Sequence, residues 1–299
     1  MRRALLAGNG LDSPAASVFN TDFLALEDGS DWEQTTTDAA RKGFREYPVV
    51  NLDGVLVCVE VHGNIGKSVA RENTVVIMAG GKGLRLRPLT EETPKPLLHV
   101  GGKPILQHII DNLRDEGFSD IILAINYLGE QIESYFKDGS RFGVSIRYLK
   151  EDKALGTAGA LSLLQEPISS PVVVMNGDLV LAASIGTMVD YHLEKHATIT
   201  VGAKVFETTI PFGVLSTQEL VIDGIEEKPI HRDLVNAGVY VLNSEVFESL
   251  SVDQFADMPE LIRDNVGGKK VFAFPIHETW ADLGRPTDFS RANELLDES

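Results

Sequence analysis

Residues 75–98 read VVIMAGGKGLRLRPLTEETPKPLL. The apolar run Val75–Ala79 stops abruptly at Gly80 and Gly81, and Gly83, Arg85 and Arg87 follow within six residues. Glycines directly after a strand let backbone N–H groups approach an anion that a side chain would hold away. Lys95 sits between Pro94 and Pro96, so its backbone is stiffened and its ammonium can be aimed as a point charge. Strand, glycine loop and cations in this order predict an anion site beyond a strand's carboxyl end, where open α/β sheets bind ligands. The loop is not a dinucleotide fingerprint, because the last glycine position of a GxGxxG is Leu86.

Outward from this stretch the pattern alternates. Thr74–Ala79, Asp120–Ile125 and Val172–Asn176 are short runs rich in β-branched residues, bounded by turn formers. Between them, 104–116 places Ile105, Leu106, Ile109, Ile110 and Leu113 on one helical face, and 129–136 and 157–164 also read as helices. The expectation is an α/β fold: a Rossmann-like, mostly parallel mixed sheet flanked by helices. Segments 198–206, 213–217, 221–226 and 236–242 have no helices between them, which predicts a small antiparallel addition beside that sheet.

The chain has 299 residues, 43% of them hydrophobic, and no apolar run approaching eighteen. The start, MRRALLAGNGLDSP, is too short in apolar residues for a signal peptide. Cys58 is the single cysteine, so no internal disulfide can form, and a reducing cytoplasm is expected. A net charge of −17 argues against bulk attraction to nucleic acid or an anionic membrane. A polyanionic ligand must then be captured by a local cationic site. GNIGKS at 63–68 ends like a phosphate-binding P-loop, but its first glycine position is Val61. His192 and His196 lie one helical turn apart without the intervening glutamate of a zinc protease, and are expected on a solvated helix face. Cys58 is expected to be buried, leaving no nucleophile.

Residues 1–65 differ from the rest. Asp12 suits a helix cap, a second helix carries Trp32, Ala39 and Ala40, and YPVVNLDGVLVCVEV predicts two strands around the turn 51–54. This order resembles one CBS repeat, a small α+β unit that usually works in pairs. Ligand-binding repeats carry Ser/Thr and Asp where this chain has Val61 and Asn64, so a structural or dimerising role is expected ahead of adenosine binding. Domain boundaries are expected at 1–65 for this segment, 66–73 for a polar linker and 74–299 for the α/β domain.

Three further groups complete the pattern in 74–299. Asp178 follows the apolar strand 171–175 in an Asn-Gly-Asp turn, and Asp282 lies in TWADLG. Two carboxylates can hold Mg²⁺ when nucleotide phosphates and water complete its octahedron. Glu226-Glu227-Lys228-Pro229 and Val235-Asn236-Ala237-Gly238 flank predicted strands.

Taken in order, AGGKGLRLRPLT with PKP, LGTAGAL (155–161), NGD, EEKP with VNAG, and WxDxG resemble the sugar-1-phosphate nucleotidyltransferases. These include mannose-1-phosphate guanylyltransferases. The family commonly has Thr or Ser where this chain has Leu84. The resemblance implies condensation of an NTP with a sugar 1-phosphate, giving an NDP-sugar and pyrophosphate, with Mg²⁺ as cofactor. GTP is favoured, with UTP, dTTP and CTP as alternatives. A catalytically silent nucleotide-sugar-binding protein is the reading from another class. The resemblance further implies that Arg85, Lys95 and Asp178 are catalytic and that Gly80, Gly81, Gly83, Gly156 and Thr157 bind the nucleotide. Gly213, Glu227, Lys228 and Asn236 would bind the sugar phosphate, and Asp178 and Asp282 the metal. A phosphate monoester has a second pKa near 6, so the acceptor needs no strong general base. A homo-oligomer joined through the CBS-like segment is expected, with neither nucleic acid nor membrane as partner.

Overall fold

A computed structural model describes residues 23–30, 46–61, 70–164, 168, 171–248, 250–268, 270–284 and 288–289. The helices expected near Asp12 and Trp32 lie outside these residues. Within them, Leu26–Glu27 (β1), Glu46–Val50 (β2) and Leu56–Val61 (β3) form a three-stranded sheet in the order β1-β2-β3. The predicted hairpin is present: β2 pairs antiparallel with β3 around a turn in which Asn51 Oδ1 accepts from the Asp53 and Val55 amides at 3.0 and 2.9 Å. Leu26, Tyr47 and Val49 bury one face. Cys58 is exposed, contrary to expectation, because β3 is an edge strand and its residues 56–59 all face solvent.

The α/β domain starts with Val75–Met78 (β4), followed by the small strands His99–Val100 (β5) and Lys103–Pro104 (β6). Next come the helix Ile105–Asp115 (α1), Asp120–Ile125 (β7), Gly129–Phe136 (α2) and Ser145–Lys150 (β8). The short helix Gly156–Gly159 (α3) leads into a 3₁₀ turn at 160–163, then Val172–Asn176 (β9), Leu179–Leu181 (β10) and the helix Ile185–Glu194 (α4). Ile199–Thr209 (β11), Gly213–Gln218 (β12), Val221–Glu227 (β13) and Ile230–Leu242 (β14) precede Ser244–Phe247 (α5) and Met258–Asn265 (α6). Val271–Ile276 (β15) and Trp280–Asp282 (β16) complete the described elements.

Seven strands form one sheet in the order β15-β11-β14-β9-β4-β7-β8. Within it β14 alone runs against the others, since β9, β4, β7 and β8 are mutually parallel and β11, parallel to β15, is antiparallel to β14. β11 and β14 are therefore members of the main sheet, where the sequence suggested an addition beside it. Only their outer arms and the β12–β13 hairpin project from it as antiparallel ribbon. β8, missed in the sequence because SIRYLK alternates polar and apolar residues, closes one edge with Ile146 turned inward.

All five predicted apolar residues of α1 are buried, with Ile105, Leu106 and Ile110 fully so. Removing each from water contributes about 1.5–3 kcal/mol. They join Val75, Ile77, Leu123 and Ile125 in a core on one face of the sheet. Val76, Ile122, Val174, Leu161 and Met258 build the core on the opposite face. The continuous burial of VVIM and DIILAI is what a parallel strand covered on both faces requires.

His192 corrects the expected solvated helix face. It is 1% exposed, with Nδ1 at 2.9 Å from Thr200 Oγ1 and Nε2 at 3.1 Å from Asn243 Oδ1. Burial holds it neutral by lowering its pKa. It ties α4 to the sheet. His196 lies just past α4 with a positive φ of 47°.

β7 and β8 extend the sheet to one side of β4, and β9 lies on the other. This reversal makes the β4/β9 boundary the switch point, and the segments leaving those two strands are 79–87 and 177–178.

Candidate active site

The backbone brings the two switch-point segments into contact. Gly177 N donates to Met78 O at 2.8 Å, and a Cβ on Gly177 would lie 2.9 Å from that carbonyl oxygen. Glycine is thus required for the Asn-Gly-Asp turn to nest against the end of β4. β16 pairs with β10 in the register Leu179↔Asp282, and Leu283 N donates to Asp178 O at 3.2 Å. Two carboxylates separated by about a hundred residues in sequence therefore stand side by side.

Lys95 occupies a 3₁₀ turn at 95–97 and is 8% exposed. Its ammonium donates to Asp178 Oδ2 in a short hydrogen bond and lies 3.9 Å from Asp282 Oδ1. Burial and the neighbouring Asp178 raise the Asp282 pKa, while Lys95 and Arg85 pull it down. The Arg85 guanidinium approaches Gly284 on the same side, with its nitrogens 3.5 Å from where a Cβ on that glycine would sit. Arg85, Lys95, Asp178 and Asp282, from three segments distant in sequence, are one cluster.

Asp178 Oδ1 is buried and has no hydrogen-bond partner among the described residues. A desolvated carboxylate oxygen without a donor is costly unless a cation or a ligand hydrogen meets it. With Asp282 alongside, the oxygen donor set suits a hard divalent cation. Among the described residues no three His, Cys, Asp or Glu side chains cluster as metal ligands.

The glycine loop is held from below. Gly83 has φ 58°, and a Cβ there would lie 2.8 Å from Thr90 Cγ2. Thr90 Oγ1 donates to Gly83 O at 2.8 Å, while Tyr127 Oη donates to Glu91 O at 3.0 Å. Gly80 packs on Asn126 and Glu151 with 3.0–3.1 Å available to a Cβ, and Gly81 faces open space. Leu84 is 58% exposed, and Arg85 and Arg87 are both exposed.

Glu151 joins this loop to the next motif. Its carboxylate accepts from Leu155 N at 2.9 Å, and burial raises its pKa. Because the folded state holds this proton more tightly than the unfolded chain, folding is favoured at low pH. That stability is lost as pH rises from about 4.5 through the raised native value. We expect Glu151→Gln, which keeps an acceptor for Leu155, to flatten this part of the stability curve, as read from Tm between pH 4 and pH 7 on the order of one-unit steps.

The opposite wall is a pocket of about 310 Å³ lined by Thr157, Asn176, Asn236, Tyr240, Asp257 and Asp282, among others. Thr157 N donates to Asp257 Oδ1 at 3.1 Å, and Met258 N donates to Thr157 Oγ1 at 2.9 Å. Gly156, at φ 81°, lies so close to Ala256 O that a Cβ would be 2.5 Å from it. Asn236 donates to Tyr240 Oη at 2.8 Å and accepts from Gly238 N at 2.9 Å. The sequence reading named Thr157, Asn236 and Asp282 here but missed Asp257, Tyr240 and Asn176. A charged N-terminal residue before Met258-Pro259 reads as an ordinary helix start, and only the tertiary contact with Thr157 brings it to the pocket.

Gly213, Glu227 and Lys228 do not line this pocket. They stand at the base of the projecting hairpin, where Gly213 pairs with Glu227 and Lys228 N donates to Phe212 O at 3.2 Å. All three are exposed.

The nucleotidyl transferase family profile matches residues 74–299. The mannose-1-phosphate guanyltransferase of Yarrowia lipolytica is 33% identical over 222 residues, covering 72% of this chain and 61% of the relative. The UTP–glucose-1-phosphate uridylyltransferase of Synechocystis is 33% identical over 245 residues, covering 73% of this chain and 61% of the relative. The chain thus spans about three fifths of the length of these curated relatives. A solved Bacillus anthracis structure, named for glucose-1-phosphate thymidylyltransferase and bound to sucrose, shares 28% identity at a TM-score of 0.61, covering 76% of this chain and 96% of that one. Family profile, relatives and fold agree with one another, and the chain belongs to the nucleotidyl transferase family.

Proposed function

We propose that this protein condenses an NTP with a sugar 1-phosphate, releasing pyrophosphate and forming an NDP-sugar. The observation that carries the reading is the unpartnered, buried Asp178 Oδ1 beside Lys95, Asp282 and Arg85 at the switch point. An acceptor phosphate oxygen attacks the α-phosphorus, the bond to the bridging oxygen breaks, and pyrophosphate leaves with that electron pair. Since the acceptor is already mostly dianionic at neutral pH, alignment and charge neutralisation do the catalysis.

In this reading the backbone at Gly80, Gly81 and Gly83 cradles the triphosphate, and Arg85 neutralises it. Lys95 is held by Asp178 at the height of the α-phosphorus and acceptor phosphate. Asp178 and Asp282 would hold a divalent cation, Mg²⁺ in our assignment, which when bound shields the phosphate charge. Gly156 and Thr157 meet the nucleoside, Asn236 lines the sugar pocket, and Glu227, Lys228 and Gly213 close over the sugar phosphate from the hairpin base. The relatives favour GTP with mannose 1-phosphate, and the uridylyltransferase relative makes UTP with glucose 1-phosphate the second reading.

Residues 1–65 serve in this proposal as a dimerising CBS-like segment, followed by a linker at 66–73 and the catalytic domain at 74–299. We assign the protein to the cytoplasm, where the exposed Cys58 thiol stays reduced. No helix among the described residues is long and apolar enough to cross a membrane. The test is a matrix of four NTPs against mannose, glucose and related sugar 1-phosphates, with pyrophosphate release as readout. One strongly preferred pair supports the reading. Tight NDP-sugar binding with no turnover for any pair replaces it with the silent binding protein.

A further inference from the structure

A second pocket, of about 660 Å³, opens between α2 and Leu97. It is lined by Leu97, Gln131, Ser134, Tyr135, Lys137 and Arg141, with Glu130 as its one acid. In a chain of net charge −17, two cations in one cavity are a departure from the average surface.

Lys137 acts electrostatically on the adjacent Asp138 carboxylate, whose pKa is held down first by the Ser140 hydroxyl. Arg141 enters no ion pair among the described residues, and its guanidinium is held by aromatic rings, 4.8 Å from the Phe142 centroid and 5.6 Å from that of Tyr135. Those two rings stack on each other at 6.0 Å, and Tyr135 Oη is fixed by Gln107 at 2.8 Å. Lys137 follows α2 with φ 50°; its amide donates to Glu133 O at 2.9 Å and its carbonyl accepts from Tyr148 Oη at 2.6 Å. The adjacent Asp138 is occupied by Ser140, whose hydroxyl and amide donate to it at 2.7 and 3.1 Å. An arginine placed by ring stacking keeps its N–H fork available for a planar or tetrahedral anion. Ser134 adds a hydroxyl, and Leu97 and Tyr135 supply apolar wall.

The floor of this pocket is wired to the glycine loop. Gln131 Nε2 donates to Glu92 O at 2.9 Å, within the same turn whose Thr90 clamps Gly83. Leu97 ends the 3₁₀ turn that begins at Lys95.

We propose that this pocket is a binding site for a small organic phosphate, the phosphate taken by Arg141 and Lys137 and the organic part lying against Leu97 and Tyr135. The site is separate from the proposed catalytic cluster and does not depend on the reaction assigned to it. The test is calorimetric titration of the full chain with phenyl phosphate, using neutral phenol as comparator, on the wild type, Lys137→Gln/Arg141→Gln and Lys95→Ala. The expected result is saturable phenyl phosphate binding that weakens at least about tenfold in the double variant and persists in Lys95→Ala. Circular dichroism confirms that each variant is folded. Three outcomes overturn the proposal: no saturable binding, equal binding of phenol, or binding that survives in the double variant and disappears in Lys95→Ala.

Discussion

Asp178→Asn is expected to lower the rate of pyrophosphate release by about 10²–10³, the cost of removing one preorganised charge from the phosphoryl-transfer site we propose. The substitution is close to isosteric, and a carboxamide can still accept from Lys95 at the Oδ2 position. Folding should therefore change little, and the loss should appear in kcat more than in the KM of either substrate. The neighbouring groups sharpen the expectation. With residue 178 neutral, the charge pairing left to Lys95 is the longer one to Asp282, at 3.9 Å, and Asp282 loses the negative neighbour that raises its pKa. Steady-state kinetics with the preferred substrate pair, alongside a thermal melt, reads both. A folded Asp178→Asn protein with near-wild-type kcat would remove this carboxylate from the mechanism.

Ile77→Ala should have the largest effect on stability. Ile77 is fully buried at the centre of β4, with β7 on one side and β9 on the other. Truncating an isoleucine there costs about 2–5 kcal/mol, because neighbours fixed in a hydrogen-bonded sheet collapse poorly into the gap. For a domain of this size each kcal/mol shifts Tm by roughly 2–4 °C, so differential scanning calorimetry should show a drop of about 4–20 °C. The same cavity reaches the site, since Ile77 Cγ2 lies 3.3 Å from where a Cβ on Gly177 would be. A Tm change of under about 2 °C would mean that the sheet centre repacks, against the usual behaviour of cores.

The α/β fold was legible because its strands are buried on both faces and its first helices carry one clean apolar stripe. VVIM, DIILAI and VVVMN were found within a residue of their ends, and GEQIESYF at both ends. β8 and β15 were missed. They lie at the two edges of the sheet: SIRYLK alternates polar and apolar residues, while VFAFPI is a short apolar run that carries a proline. The integration of β11 and β14 into the sheet was also illegible, since pairing partners are set by tertiary packing and not by local pattern.

In the candidate site, the clustered residues come from motifs rich in turn formers: Lys95 stands between two prolines, Asp178 follows Gly177 and Asp282 is two residues before Gly284. Asp257 and Tyr240 were not legible, because each looks locally like a helix cap or a core aromatic. His192 shows the opposite error, a polar side chain assigned to solvent that is buried between Thr200 and Asn243.

Arg71 is placed by a paired contact to Asp190 at 2.8 and 2.9 Å, by its amide donating to Gly117 O at 2.9 Å, and by its guanidinium over the Phe118 ring at 5.7 Å. Two residues on, Asn73 donates to Pro171 O at 2.7 Å. The chain is thereby riveted to the domain at the amino end of β4, while the reactive cluster sits beyond its carboxyl end, roughly 16 Å of extended backbone away. The chain thus enters the domain at the end of the sheet opposite the Arg85–Lys95–Asp178–Asp282 cluster.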